Sequence, residues 1–139
     1  MTQMFPDFIL TATCDNGMIV FADEVEVGNN SDWAVASEFT IPGETKVVTI
    51  QCTNTGGPAG IIASGPNGMD TDSSWTCGKV DMNITEWIPA RELTRGVDKI
   101  VTDHLEGGGL SANATWIWYG KDKRRKNCLT KSCMKVIGK

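Results

Sequence analysis

Residues 47–65 read VVTIQCTNTGGPAGIIASG. The opening run is rich in β-branched side chains, which are stiff at χ1 and pack well on a pleated surface, so it reads as a well-buried strand. That strand stops at Asn54-Thr55-Gly56-Gly57-Pro58, and a second apolar run, AGIIAS at 59–64, restarts at once. Gly56 and Gly57 reach positive φ without steric penalty, while Pro58 fixes its own φ and donates no hydrogen bond. The segment therefore reads as a tight, specified corner between two strands, with Asn54 placed to cap it or to reach a ligand or ion at the loop end.

The pattern recurs in both directions. Further alternating or β-branched runs are FILTAT (8–13), MIVFA (18–22), VEV (25–27), VASEFTI (35–41), WTC (75–77) and TWIWY (115–119). Turn formers separate them: DNG at 15–17, GNNSD at 28–32, PGE at 42–44, GPNG at 65–68 and GGG at 107–109. Many short strands with regular turns predict an all-β sandwich or barrel. Only residues 90–104 carry helix-like spacing, and Gly96 interrupts it, so one short helix at most is expected.

The chain has 139 residues, 40% of them hydrophobic and 22% charged. This suits one domain with a real core. No run approaches the roughly 20 apolar residues that span a bilayer, so no membrane span is expected. Charge is divided unevenly. Residues 121–139 hold eight Lys/Arg against Asp122, net +7, and the preceding residues hold five against sixteen, net −11. Without aromatic residues among the charges, the basic segment reads as a solvated or self-associating terminus rather than a nucleic-acid surface.

The N-terminal MTQMFPDFIL lacks the features of a signal peptide, which fits either a cytosolic protein or a mature domain without its leader. Five cysteines (Cys14, Cys52, Cys77, Cys128 and Cys133) include no Cys-x-x-Cys pair, and His104 is the only histidine, so disulfides are a better reading than a Cys/His metal site. Three Asn-x-Ser/Thr sequons, at Asn29, Asn83 and Asn113, stand beside turn-like residues. Together these predict an extracellular, secreted origin.

TCDNGMIVFADEVEVG, SDW, FTIPGETKVVTIQCTNTGGPAGIIAS, TDSSWTCG and ATWIW follow one another in an order that resembles the galactose-binding-like β-sandwich domain of lectins, carbohydrate-binding modules and adhesion or matrix proteins. The resemblance covers about residues 7–119 and departs at Cys14, where a small residue is usual, and after Gly120. It implies an antiparallel jelly-roll sandwich over residues 1–120, with 121–139 a basic segment that is partly a closing strand. Because that fold hosts several roles, the residues themselves must argue the ligand. The resemblance also implies a structural calcium at a loop junction, where Asp15, Asp23 and Asp70, with Asn54, Asp72 and backbone carbonyls, are the candidate oxygens; no other cofactor is expected. Cys14 and Cys52, both at strand ends beside Asn-containing turns, are expected to pair across neighbouring strands. The family-like closing strand pairs Cys77 with Cys128 and leaves Cys133 free.

Trp116 and Trp118 lie two apart with Ile117 between them, so both faces of that strand are apolar and the reading is core. Trp75 reads as a core plug whose neighbours Asp72 and Ser74 satisfy nearby backbone groups. Trp33 and Trp87 stand in polar, irregular surroundings, where an indole is either a platform for the C–H face of a sugar or a cap on the sandwich core. With Asn54, Asp72 and Arg91 as polar partners, they form the candidate site at a loop end. Catalysis finds little support: a nucleophile–histidine site would need His104, and no Gly-x-Ser-x-Gly elbow is present. The expected function is non-enzymatic binding of glycans or glycoproteins. The alternative is a structural or adhesive extracellular domain that self-assembles through disulfides and the C-terminal segment.

Overall fold

A computed structural model describes residues 6–31, 36–54, 60–66, 68–79, 87–93, 114–119 and 129–137. These form eleven strands: β1 (Phe8–Asp15), β2 (Gly17–Ala22), β3 (Val25–Asn30), β4 (Ser37–Ile41), β5 (Val47–Asn54), β6 (Gly60–Ser64), β7 (Thr76–Lys79), β8 (Ile88–Pro89), β9 (Arg91–Leu93), β10 (Trp116–Trp118) and β11 (Leu129–Val136). There is no helix among the described residues, and the start of the helix-like stretch at 90–104 is strand β9. The corner at Gly56-Gly57-Pro58 lies outside the described residues, but the strands on either side of it are those the β-branched runs predict.

The strands make two antiparallel sheets. One has five strands in the order β4-β1-β6-β10-β9 and the other six in the order β3-β2-β5-β11-β7-β8. Period-2 alternation assigns the faces. In β2, Met18, Val20 and Ala22 are buried while Gly17, Ile19 and Phe21 are only half-buried. In β5, Val48, Ile50 and Cys52 point inward with them. The facing sheet contributes Leu10, Ala12, Ile41, Ile61 and Ile117, all fully buried, so the core is the filling between two sheets. Trp116 and Trp118 are buried as the WIW pattern predicts, and Trp75 is fully buried below the turn that Asp72 and Ser74 close.

Two disulfides are present among the described residues. Cys14–Cys52 forms as expected, but β1 and β5 belong to different sheets, so this bridge ties one sheet to the other instead of joining neighbouring strands. The second bridge corrects the sequence reading. Cys77 pairs with Cys133, its register partner on the adjacent strand β11, with Cα atoms 4.0 Å apart. Cys133 is therefore not free, and Cys77 is not available to Cys128, which lies outside the described residues. The error came from the register of the closing strand, because the residue that faces Cys77 is the fifth of β11 and not the residue just before it.

β11 also revises the picture of a solvated basic terminus. Leu129–Val136 lies between β5 and β7, hydrogen-bonded on both sides, with Lys131, Ser132 and Cys133 buried. Self-association by backbone pairing is closed to this part of the segment, because both of its edges are used inside the sheet. Residues 121–128 lie outside the described residues.

The two sheets meet closely at one side. A bulge between β2 and β3 leaves Val27 unopposed and brings Gly28 against Phe39 of β4, where an added Cβ would stand 2.8 Å from the Phe39 ring. Glycine is required there by contact rather than by conformation.

Candidate functional site

The outer face of the six-stranded sheet carries a cavity of about 590 Å³. Register explains its lining. Phe21, Thr49 and Met134 are successive partners across β2, β5 and β11, and all three are outward, half-buried positions. One rung along, Gln51 and Ser132 pair, with Gly78 of β7 beside Ser132. Trp87, immediately before β8, comes level with Gly78, because Ile88 pairs with Cys77 in an antiparallel ladder. With no side chain at Gly78, Trp87 can share the cavity with Ser132, which is buried although it belongs to the outward row.

One end of the cavity is acidic. Asp23 and Glu24 form the turn between β2 and β3, and both have positive φ, 49° and 74°. A two-residue hairpin turn with two such residues favours Asn or Gly, because the Cβ of an L-residue crowds the following carbonyl oxygen there. Asp23 compensates for this locally: Oδ1 accepts from the amides of Lys46 and Val47, each at 3.0 Å, and Oδ2 accepts from Lys46 at 3.2 Å. Glu24 is exposed and has no hydrogen bond or ion pair among the described residues.

A second, shallower cavity of about 330 Å³ continues along β2 and β5 on the same face, lined by Ile19, Gln51, Glu26, Asn29 and Asn30 with residues around them. Its amides present donors and acceptors side by side. Asn29 donates to Glu26 at 3.4 Å, and Asn30 donates to Thr13 at 3.3 Å.

The residues singled out in the sequence fall in different places. Trp87 lines the larger cavity with Asp23, on a sheet face rather than at a loop end. Trp33 lies outside the described residues. Asn54 is the last residue of β5, opposite Leu129, away from Trp87. Arg91 is exposed on β9, an edge strand of the other sheet, paired with Trp118. Asp72 is occupied by its own turn: Oδ1 accepts from the Ser74 amide at 2.8 Å and from the Ser74 hydroxyl at 2.5 Å, and that hydroxyl also accepts from Lys135 at 2.7 Å. Partial burial pushes the Asp72 carboxyl upward, but the two Ser74 donors and the Lys135 ammonium outweigh it and hold the carboxyl below its ordinary value.

Of the candidate calcium ligands, Asp15 and Asp23 are held apart. Asp15 ends β1 beside the start of β2, and Asp23 follows its end, so β2 separates them by roughly 20 Å at about 3.3 Å per residue. No group of three or more His, Cys, Asp or Glu among the described residues is placed to hold a metal ion. His104 lies outside the described residues.

Phe21, Glu24, Thr49, Ser132 and Met134 were missed by sequence reasoning. The signal for Phe21 was present: in MIVFA the inward positions are Met18, Val20 and Ala22, which puts an aromatic ring on the solvent side. The β11 residues carried no such signal without the strand itself. No known protein family, curated protein or solved structure matches this chain. The functional reading thus rests on the site.

Proposed function

We propose that the domain is a non-enzymatic, secreted carbohydrate-binding module that holds glycans on the outer face of its six-stranded sheet. The observation that carries this reading is the cavity that joins Trp87 and Phe21 to the polar residues Thr49, Ser132, Asp23 and Glu24. An indole offers a flat face to sugar C–H groups, while hydroxyls and carboxylates take the sugar hydroxyls. The amide-rich second cavity lies along the same strands and extends the polar surface beyond a single ring. Two disulfides fit an oxidising compartment, which supports secretion, and the resemblance to lectin-type sandwiches points the same way.

Screening the purified domain on a glycan array, with and without calcium, tests the reading. Retained glycans are expected to bind weakly, in the micromolar to millimolar range, because sugar hydroxyls exchange water for protein partners at little net gain. Trp87→Ala should abolish retention while circular dichroism stays unchanged. Retention indifferent to Trp87 would move the assignment to the structural or adhesive alternative. That alternative draws on the exposed side chains of Val25 and Val136, 67% and 62% accessible, which stand at the same end of the sheet.

A further inference from the structure

We infer that the groove selects cationic amino sugars, glycans carrying a free primary amine, over neutral or N-acetylated ones. The inference rests on the carbohydrate reading above and names the class of sugar. Three features of the groove carry it. Its aromatic part, Phe21 and Trp87, offers π-faces that favour an ammonium as well as sugar C–H groups. Its acidic end holds two carboxylates in adjacent positions: Asp23, fixed by three backbone contacts, and Glu24, which has no partner among the described residues. Among the described residues no lysine or arginine lines the cavity; Lys46, the exposed cation next to Asp23 through its backbone amide, is not part of the lining.

Charge complementarity decides between sugar classes. A neutral sugar gains from the aromatic faces but leaves Glu24 facing a hydroxyl, a bond that only replaces one to water. An amine on the ring brings a cation to an uncommitted, exposed carboxylate at the rim of the aromatic groove. An N-acetyl group removes that charge and adds bulk at the same atom. The chain's formal net charge of −4 acts weakly in the same direction by raising the local concentration of a cationic ligand.

Calorimetric titration of the full chain with three tetrasaccharides separates the possibilities: a β-1,4-linked glucosamine tetramer, its fully N-acetylated form, and the corresponding glucose tetramer. The measurement is made at about pH 6, below the ordinary range of an amine. The glucosamine tetramer should bind roughly three- to tenfold more tightly than either neutral oligomer, the gain expected of one or two partly exposed charge contacts. Added salt should erase the difference. Glu24→Gln should bring the three affinities together, and Trp87→Ala should remove binding of all three. Equal affinity for the three oligomers, or a preference that survives Glu24→Gln, overturns the amino-sugar inference and leaves the carbohydrate reading standing. If none of the three oligomers binds, the carbohydrate reading fails and the inference with it. A tetralysine control that binds where no sugar does would reassign the groove to basic peptides.

Discussion

The Lys131 ammonium lies 5.8 Å from the centre of the Trp118 ring, across the gap between the two sheets, although Lys131 is only 2% exposed. Tyr119 stands on the same cation at 5.7 Å. Lysine reaches such a position because its aliphatic stem packs with the core while the charge meets aromatic faces. Lys131→Ala is therefore expected to cost about 2–4 kcal/mol, mainly through lost packing, since a buried long side chain is truncated in a central strand. Urea denaturation checks this; a loss under about 0.5 kcal/mol would mean that the side chain packs as a surface residue does.

Disulfide mapping of a non-reduced digest should recover Cys14–Cys52 and Cys77–Cys133. The bridges close loops of 38 and 56 residues, which in the chain-entropy account is worth roughly 4 kcal/mol each. Replacing both cysteines of either pair with serine should lower stability by about 2–4 kcal/mol, since strain and unfolded-state structure take part of the ideal gain. A peptide joining Cys77 to Cys128 would contradict the register of β7 against β11.

Gly28→Ala tests the closure between β3 and β4. The new Cβ would meet the Phe39 ring at 2.8 and 2.9 Å, and Phe39 is 5% exposed, so the ring has little room to yield. A destabilisation of about 1–3 kcal/mol is expected, as for overpacking elsewhere. Phe39→Leu in the same background should recover part of it.

Glu24→Asn should stabilise the fold by about 0.5–1 kcal/mol while weakening amino-sugar binding. At φ 74° the Cβ of an L-residue is strained, and asparagine tolerates the left-handed region better because its short amide hydrogen-bonds to the local backbone. Thermal denaturation and titration on one sample would show opposite signs for stability and affinity. Equal or lower stability would show that the turn is not held against its preference.

Asp72 sets a pH signature. Its carboxyl is held below the ordinary value, so the stabilisation it supplies is complete above about pH 4 and is lost as pH falls through the depressed folded value. The difference in stability between the parent and Asp72→Asn should be flat near neutrality and shrink in acid. A difference that grows on acidification would reverse the assignment of Ser74 and Lys135 as stabilisers of the charged form.

Much of the sandwich was legible in the sequence because its strands announce themselves through β-branched alternation and turn residues. FILTAT, MIVFA and KVVTIQC lie on β1, β2 and β5 with boundaries close to those observed. β11 was hidden by its own composition. LTKSCMKV places lysines at 131 and 135 on inward rows, so a central strand looked like a basic terminus, and nothing local reveals that aromatic rings wait opposite Lys131. β8 and β9, two and three residues long, are set by the neighbours they pair with and not by their own periodicity. The groove shared this fate. Trp87 was visible as a candidate, but the partners that make it a wall come from three strands and the β2–β3 turn, and their alignment is a matter of register that a linear reading does not supply.

The position of β11 also orders the protein's biosynthesis. Until residues 129–136 have emerged from the ribosome, β5 and β7 each keep a bare edge, the six-stranded sheet is split into two incomplete pieces, and Cys77 has no partner to oxidise with. From the synthesis of β5 until β11 emerges, the nascent chain is thus a receptive template for foreign strands. Chaperones that shield strand edges, and oxidases that act only after synthesis of residue 133, would govern how much of it reaches the native state.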